Sequence, residues 1–265
     1  MSEQAYTFGA ERNLYGVLSL PDGGHLPGQP AVLLLTVGLQ HHVGACRCWV
    51  TLARKLAELG YASLRFDMGG IGDSDLGTRS GSETDCAVAE IQAAMELLGK
   101  RSGATRFVLV GLCSGADNAH PAALRDERVA GLVMIDAYGY RTAGWHLRHY
   151  LPRLLHPHHW RRFLRRKFLL ANVGFMRDFP PRRRAEDELL QLAGRGVQML
   201  FLYTAGVPHY FNHYRQFGEM FPRLKGNGRI DIEHDPLAGH IYEFHADRER
   251  FFANVTGWLT SRDWR

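Results

Sequence analysis

Long apolar runs are missing from this sequence. Nowhere in its 265 residues do about 18 apolar residues follow one another, so a membrane-spanning helix is not expected. The first residues, "MSEQAYTFGAERN", lack both a basic n-region and an apolar h-region, so no secretory leader is expected either. Cysteine is scarce. The four present (Cys46, Cys48, Cys86 and Cys113) are too few for a disulfide scaffold, and the Cys46–Cys48 spacing suits zinc poorly without a second pair. These absences together predict a reducing, cytoplasmic setting. Internal repeats and low-complexity tracts are absent as well. With 45% hydrophobic and 22% charged residues, the chain reads as an ordinary globular protein, long enough for one α/β domain with an insert.

What is present is an alternation. Continuous apolar runs at 31–37 (AVLLLTV), 106–111 (RFVLVG), 129–136 (VAGLVMID) and 197–204 (VQMLFLYT) read as strands buried on both faces. Further strands are expected at 14–21, 61–66 and 229–234. Between them lie helical stripes, such as Leu52, Ala53, Leu56 and Leu59, and Val88, Ile91, Met95 and Leu98. A final amphipathic helix is expected from about Asp247 to Leu259. Strands alternating with helices predict a mostly parallel sheet covered on both faces.

The stretch "RFVLVGLCSGADNAH" (106–120) carries the chemistry. An apolar strand turns sharply and continues into helix-compatible residues. At a strained strand–turn–helix, the positions two before and two after the turning residue must be small. Centring the turn on Cys113 puts Gly111 and Gly115 there; centring it on Ser114 puts the bulky Leu112 there. The phase selects Cys113, at a helix N-terminus where the dipole favours thiolate. The base is expected from His240, in "DPLAGHIYEF" after the last strand and before the last helix, which completes the chain order of nucleophile first and histidine last.

The "GLCSG" turn, the "DMGGIGDSD" loop after a strand and "AGH" before the last helix resemble the α/β-hydrolase fold family. The segments "VGLQHHVGACRCWVTLARKLAELGYASLRFDMGGIGDSD" and "GLCSGAD" are similar to hydrolases of exosortase A-associated gene clusters. The resemblance implies an α/β-hydrolase fold with a helical lid and Cys–His chemistry on an ester or thioester. Two expected backbone donors would form the oxyanion hole, Ser114 and Leu39, with Gln40 as an added substrate contact. The family usually places its acid after the strand that here is VQMLFLYT, but no carboxylate follows until Glu219. Asp136, ending the strand beside the elbow strand, is the expected substitute. Asp117 and Asp235 are expected to be structural, and Asn212 is an alternative orienter of the imidazole. The missing acid also keeps open a non-catalytic binding or scaffold protein on a hydrolase fold.

Between 140 and 190 the alternation stops and prolines break the helical pattern. We expect residues 1–139 and 191–265 to form the core and 140–190 a basic helical lid. Residues 141–190 hold twelve Lys/Arg against four acids, a net +8 where the whole chain carries +5. One face of "WRRFLRRKFLL" is apolar, and Arg161, Arg162, Arg165 and Arg166 line the other. Packing of the apolar face on the core explains part of this pattern. The basic face suits an anionic partner: coenzyme A, an acidic acyl carrier protein or an anionic lipid surface rather than nucleic acid. No cofactor and no metal site are expected; "HPHHW" (156–160) lacks a carboxylate partner.

Overall fold

Residues 1–154 and 179–264 are described by the computed structural model. Eight strands form one sheet: β1 (Ser2–Phe8), β2 (Leu14–Leu20), β3 (Ala31–Leu35), β4 (Ser63–Phe66), β5 (Phe107–Leu112), β6 (Val129–Ile135), β7 (Gln198–Thr204) and β8 (Ile230–Asp235), in the order β1-β2-β4-β3-β5-β6-β7-β8. The β1–β2 and β2–β4 pairs are antiparallel and the others parallel. Seven of these strands fall where the sequence reading expects them. β1 carries no such signal. It is an edge strand, exposed along most of its length, so pairing with β2 rather than burial defines it.

Strand parity divides the core. Leu33 and Leu35 of β3, Leu109 of β5 and Met134 of β6 face one side, while Val32, Leu34, Val110 and Val133 face the other. The helices α2 (Glu83–Ser102) and α3 (Ser114–Arg125) cover the first face; α1 (Cys48–Glu58) and α7 (His245–Thr260) cover the second. Both faces being dry explains why the central strands are apolar without alternation. The parallel register brings Leu35 beside Gly111, Leu112 beside Ile135, and Ile135 beside Leu202. The loops leaving β3, β5, β6 and β7 therefore emerge at one edge, where sheets of this kind build their sites.

Around the expected lid, α4 (Ala143–Leu154) and α5 (Arg182–Gly194) are helical, and a short α6 (Gln216–Met220) follows β7. α5 runs through the expected boundary at 190, and its Leu189 and Leu192 are fully buried in the α2–α3 core. Arg161, Arg162, Arg165 and Arg166 lie outside the described residues, as does "HPHHW". Among the described residues no helix is long and apolar enough to cross a membrane.

Candidate active site

Cys113 stands between β5 and α3 with φ 56° and ψ −115°, a strained conformation for a side-chain-bearing residue. Its amide donates to the Ile135 carbonyl at 2.8 Å, which ties the turn to β6. The space around the turn shows why it needs glycines. A Cβ on Gly111 would lie 2.4 Å from the Gly115 carbonyl carbon, and one on Gly115 would lie 2.7 Å from the carbonyl oxygens of Leu35 and Thr36. The elbow helix thus crosses the end of β3 at backbone contact, as the spacing required.

Asp136 follows β6 directly, fully buried, also at positive φ (45°). Its Oδ2 lies 2.7 Å from His240 Nδ1. Thr204, the last residue of β7, holds the carboxylate in place: its amide donates to Oδ1 at 2.7 Å and its hydroxyl to Oδ2 at 2.6 Å. Tyr210 donates its hydroxyl to the Asp136 carbonyl at 2.9 Å. The buried carboxylate thus accepts from the Thr204 amide and hydroxyl and from the His240 ring. The imidazole of His240 is half-buried and held protonated up to about 9; the hydrogen bond to Asp136 contributes most, followed by one to Cys113, and together they outweigh the burial that opposes the charge. The three side chains form one hydrogen-bonded chain.

The missing acid after β7 has a steric counterpart. A Cβ on Gly206 would lie 2.5 Å from the His240 amide nitrogen, and the Ala205 amide donates to the Ala238 carbonyl at 3.0 Å. The backbone of the histidine loop occupies the space where a side chain from this turn would stand. The other candidate acids stand elsewhere in the fold. Asp235 caps its own loop through the amides of Leu237 and Ala238 and pairs with Arg250. Asp117 lies in the first turn of α3. Asn212 accepts from Arg148 and donates to the Trp145 carbonyl, so it joins α4 rather than the imidazole.

At the expected oxyanion position, Ser114 begins α3, so its amide has no carbonyl of a preceding turn to bond. Its hydroxyl accepts the Gly38 amide at 2.6 Å and clasps the β3 loop to the elbow. The Leu39 side chain is exposed, and its amide donates to no group found among the described residues. Gln40 is half-buried, its amide turned back to the Val37 carbonyl at 3.0 Å, beside Leu112, Ile241 and Tyr242. A larger groove of about 670 Å³ between the β1–β2 hairpin and α2 contains none of these residues. Of the other cysteines, Cys46 is exposed, and Cys48 is buried with its thiol pushed up to about 12 by desolvation, so it stays protonated. Sequence reasoning missed Thr204, Tyr210 and the Ser114–Gly38 clasp. Only the position of Thr204 at the end of an apolar run hinted at a role.

A mostly parallel sheet with a strained elbow on its central strand, and a histidine loop and a buried acid at the same edge, defines a class of hydrolytic architecture. The pattern of the alpha/beta hydrolase fold matches residues 30–231, and the chain belongs to that family of hydrolase-type enzymes. Similar solved structures include an esterase from Pyrococcus furiosus (15% identity, 98% of this chain and 91% of that chain, TM-score 0.62). An alpha-beta serine hydrolase homologue from Coxiella burnetii is also similar (14% identity, 98% of each chain, TM-score 0.60). A third is a proline iminopeptidase from Mycobacterium smegmatis (16% identity, 99% of each chain, TM-score 0.56). At these identities the likeness speaks for the fold. No curated protein matches the chain in sequence.

Proposed function

We propose that the protein is a cysteine-nucleophile hydrolase or acyltransferase that works on an ester or thioester through an acyl-Cys113 intermediate, with His240 as acid–base and Asp136 as its orienting acid. The observation that carries this reading is the hydrogen-bonded chain from Asp136 through His240 to Cys113. His240 is held protonated up to about 9 and so stands ready as the proton donor at neutral pH, and the nucleophile of this reading is the Cys113 thiolate paired with it. The thiolate attacks the carbonyl carbon, and the developing oxyanion is received by the amides of Ser114 and Leu39. His240 gives its proton to the leaving alcohol or thiol as the C–O or C–S bond breaks. Water, an alcohol or an amine then attacks the acyl-cysteine, loses its proton to His240, and the thiolate leaves. The acyl-cysteine is itself a thioester and aminolyses readily, which favours transfer more than a serine ester would.

The alternative, a non-catalytic scaffold, drew its motive from the absent acid. The partnership of Asp136 with His240 supports catalysis instead. The likeness to exosortase A-associated hydrolases and the Gly-x-Cys-x-Gly elbow belong to this reading. So do the basic lid at 140–190, its use of Arg161, Arg162, Arg165 and Arg166 to receive a coenzyme A or carrier-protein thioester, the contact of Gln40 with substrate, and a cytoplasmic setting. Intact-mass measurement after incubation with a panel of acyl thioesters tests the core of it. An adduct is expected on Cys113, abolished by Cys113→Ala and mostly retained by Ser114→Ala. An adduct mapping to Ser114 or to another cysteine would sink the assignment.

A further inference from the structure

We infer that the protein carries a divalent-metal site, of the zinc or cobalt class, formed by His41, His42, Asp67 and Asp73, none of which the sequence marks as a ligand. The four side chains come from two loops, one following β3 and the other following β4. Each offers a ligand atom, and these atoms all lie within 4.8 Å of one another. His42 Nδ1 is 2.7 Å from Asp67 Oδ2, His41 Nε2 is 2.9 Å from Asp73 Oδ2, and the same His41 nitrogen is 3.7 Å from Asp67 Oδ2. In a tetrahedral zinc centre with bonds of ~2.0–2.1 Å, ligand atoms stand about 3.3 Å apart. The observed separations bracket that value, so modest side-chain rotations would close four bonds on one ion.

Charge argues the same way. Among the described residues no Lys or Arg pairs with Asp67 or Asp73; their ionic partners are the two histidines alone. With both imidazoles neutral the cluster holds two negative charges, one of them on a fully buried carboxylate. A divalent cation neutralises that sum, and neutral imidazole with carboxylate is a donor set suited to zinc and its first-row neighbours. The supporting contacts already stand. The His42 amide donates to Asp67 Oδ1 at 2.5 Å and the Asp73 amide to Asp67 Oδ2 at 3.0 Å, while the His41 and His42 rings pack with centroids 3.8 Å apart. On binding, the ion takes the place of the proton between His42 Nδ1 and Asp67, and the neutral His42 ring carries its single proton on Nε2 instead, by exchange with solvent. The site ties the loop that begins at Gly38 to the loop that follows β4, and it contains neither Cys113 nor His240.

The test uses the full chain, stripped with a chelator and dialysed against cobalt(II) or zinc(II) at micromolar concentration. Cobalt reports its own ligands: nitrogen and oxygen alone produce visible d–d bands without the near-ultraviolet thiolate band. We expect one tightly bound ion without thiolate character in the wild type and in Cys113→Ala, together with a rise in Tm on binding. His41→Ala and Asp73→Asn change exposed side chains and leave the buried His42–Asp67 pair intact. Each should weaken binding at least about tenfold and remove the rise in Tm. Wild-type protein that takes up no ion, or variants that bind as tightly as the wild type, would overturn the site and leave a proton-bridged cluster.

Discussion

The ends of β4 and β6 each deliver a fully buried aspartate to a histidine, Asp67 to His42 and Asp136 to His240, with the same 2.7 Å between Nδ1 and Oδ2. Their surroundings separate them. Asp136 is held by the amide and hydroxyl of Thr204, and its histidine is half-exposed with a strained cysteine on the other side. Asp67 is held by the amides of His42 and Asp73, and its histidine is buried against Tyr15 and His41. A carboxylate–imidazole pair is thus no catalytic signature by itself. The two pairs differ in what the far side of each ring meets: Cys113 for His240, Tyr15 and His41 for His42.

The sharpest way to break this comparison is to remove each acid. Asp136→Asn should lower turnover of an acyl thioester by at least about tenfold, within the ~10²–10⁴-fold range of a positioned acid–base partner. Asp235→Asn and Asp117→Asn should change it little in the same steady-state assay. Equal losses from all three would mean that Asp136 has no special standing.

Next in size is the pH dependence. His240 titrates at about 9 in the folded chain, above its ordinary 6.5. The stability this contributes is complete below about 6.5 and is lost as pH rises through about 9. In the proposed mechanism the imidazolium protonates the leaving group; it is lost over the same upper range, so kcat/KM should fall above about 9. Cys113→Ser should behave oppositely, with residual activity rising as the imidazole deprotonates, because a hydroxyl needs a neutral base. Parallel pH–rate profiles for the two proteins would refute the ion-pair form.

Asp67→Asn should act on stability. Burial raises the Asp67 carboxyl, but the His42 hydrogen bond and the Asp73 amide outweigh it and hold the group below the ordinary carboxylate range. Its contribution is therefore present above about pH 4 and lost as pH falls through the lowered value. For the metal-free, chelator-stripped protein we expect denaturant unfolding at neutral pH to show a loss of about 1–3 kcal/mol, and the difference from the wild type to shrink in acid. A difference constant down to acid pH would assign the loss to packing.

The smallest expected effect is in the proposed basic lid. Reversing the charge of Arg161, Arg162, Arg165 and Arg166 should raise KM for a coenzyme A thioester and leave a small neutral ester nearly unchanged. Added salt should mimic the change, since the Debye length is ~10 Å at 0.1 M. Equal losses on both substrates would point to disturbed lid packing.

Much of this was legible in the chain. The apolar runs that are buried on both faces announced the central strands, and β1 escaped because an exposed edge strand needs no apolar pattern. Gly111 and Gly115 set the phase of the elbow because a Cβ at either would lie only 2.4–2.7 Å from backbone atoms. The place of His240, after the last strand and before the last helix, was readable from order alone.

Which carboxylate meets His240 was not decidable in that way. Asp136, Asp117, Asp235 and Asn212 are all polar residues near the right strands, and Asp136 is 104 positions from His240. Its choice depends on β6 lying between β5 and β7 in register, so that Thr204 can hold the carboxylate while the histidine loop folds over Gly206. The meeting of His41 and His42 with Asp67 and Asp73 is of the same kind. Local sequence determines backbone turns and which faces are apolar, because those depend on neighbouring residues. Which side chains converge from distant loops is decided by strand order and register, which exist only once the sheet has formed.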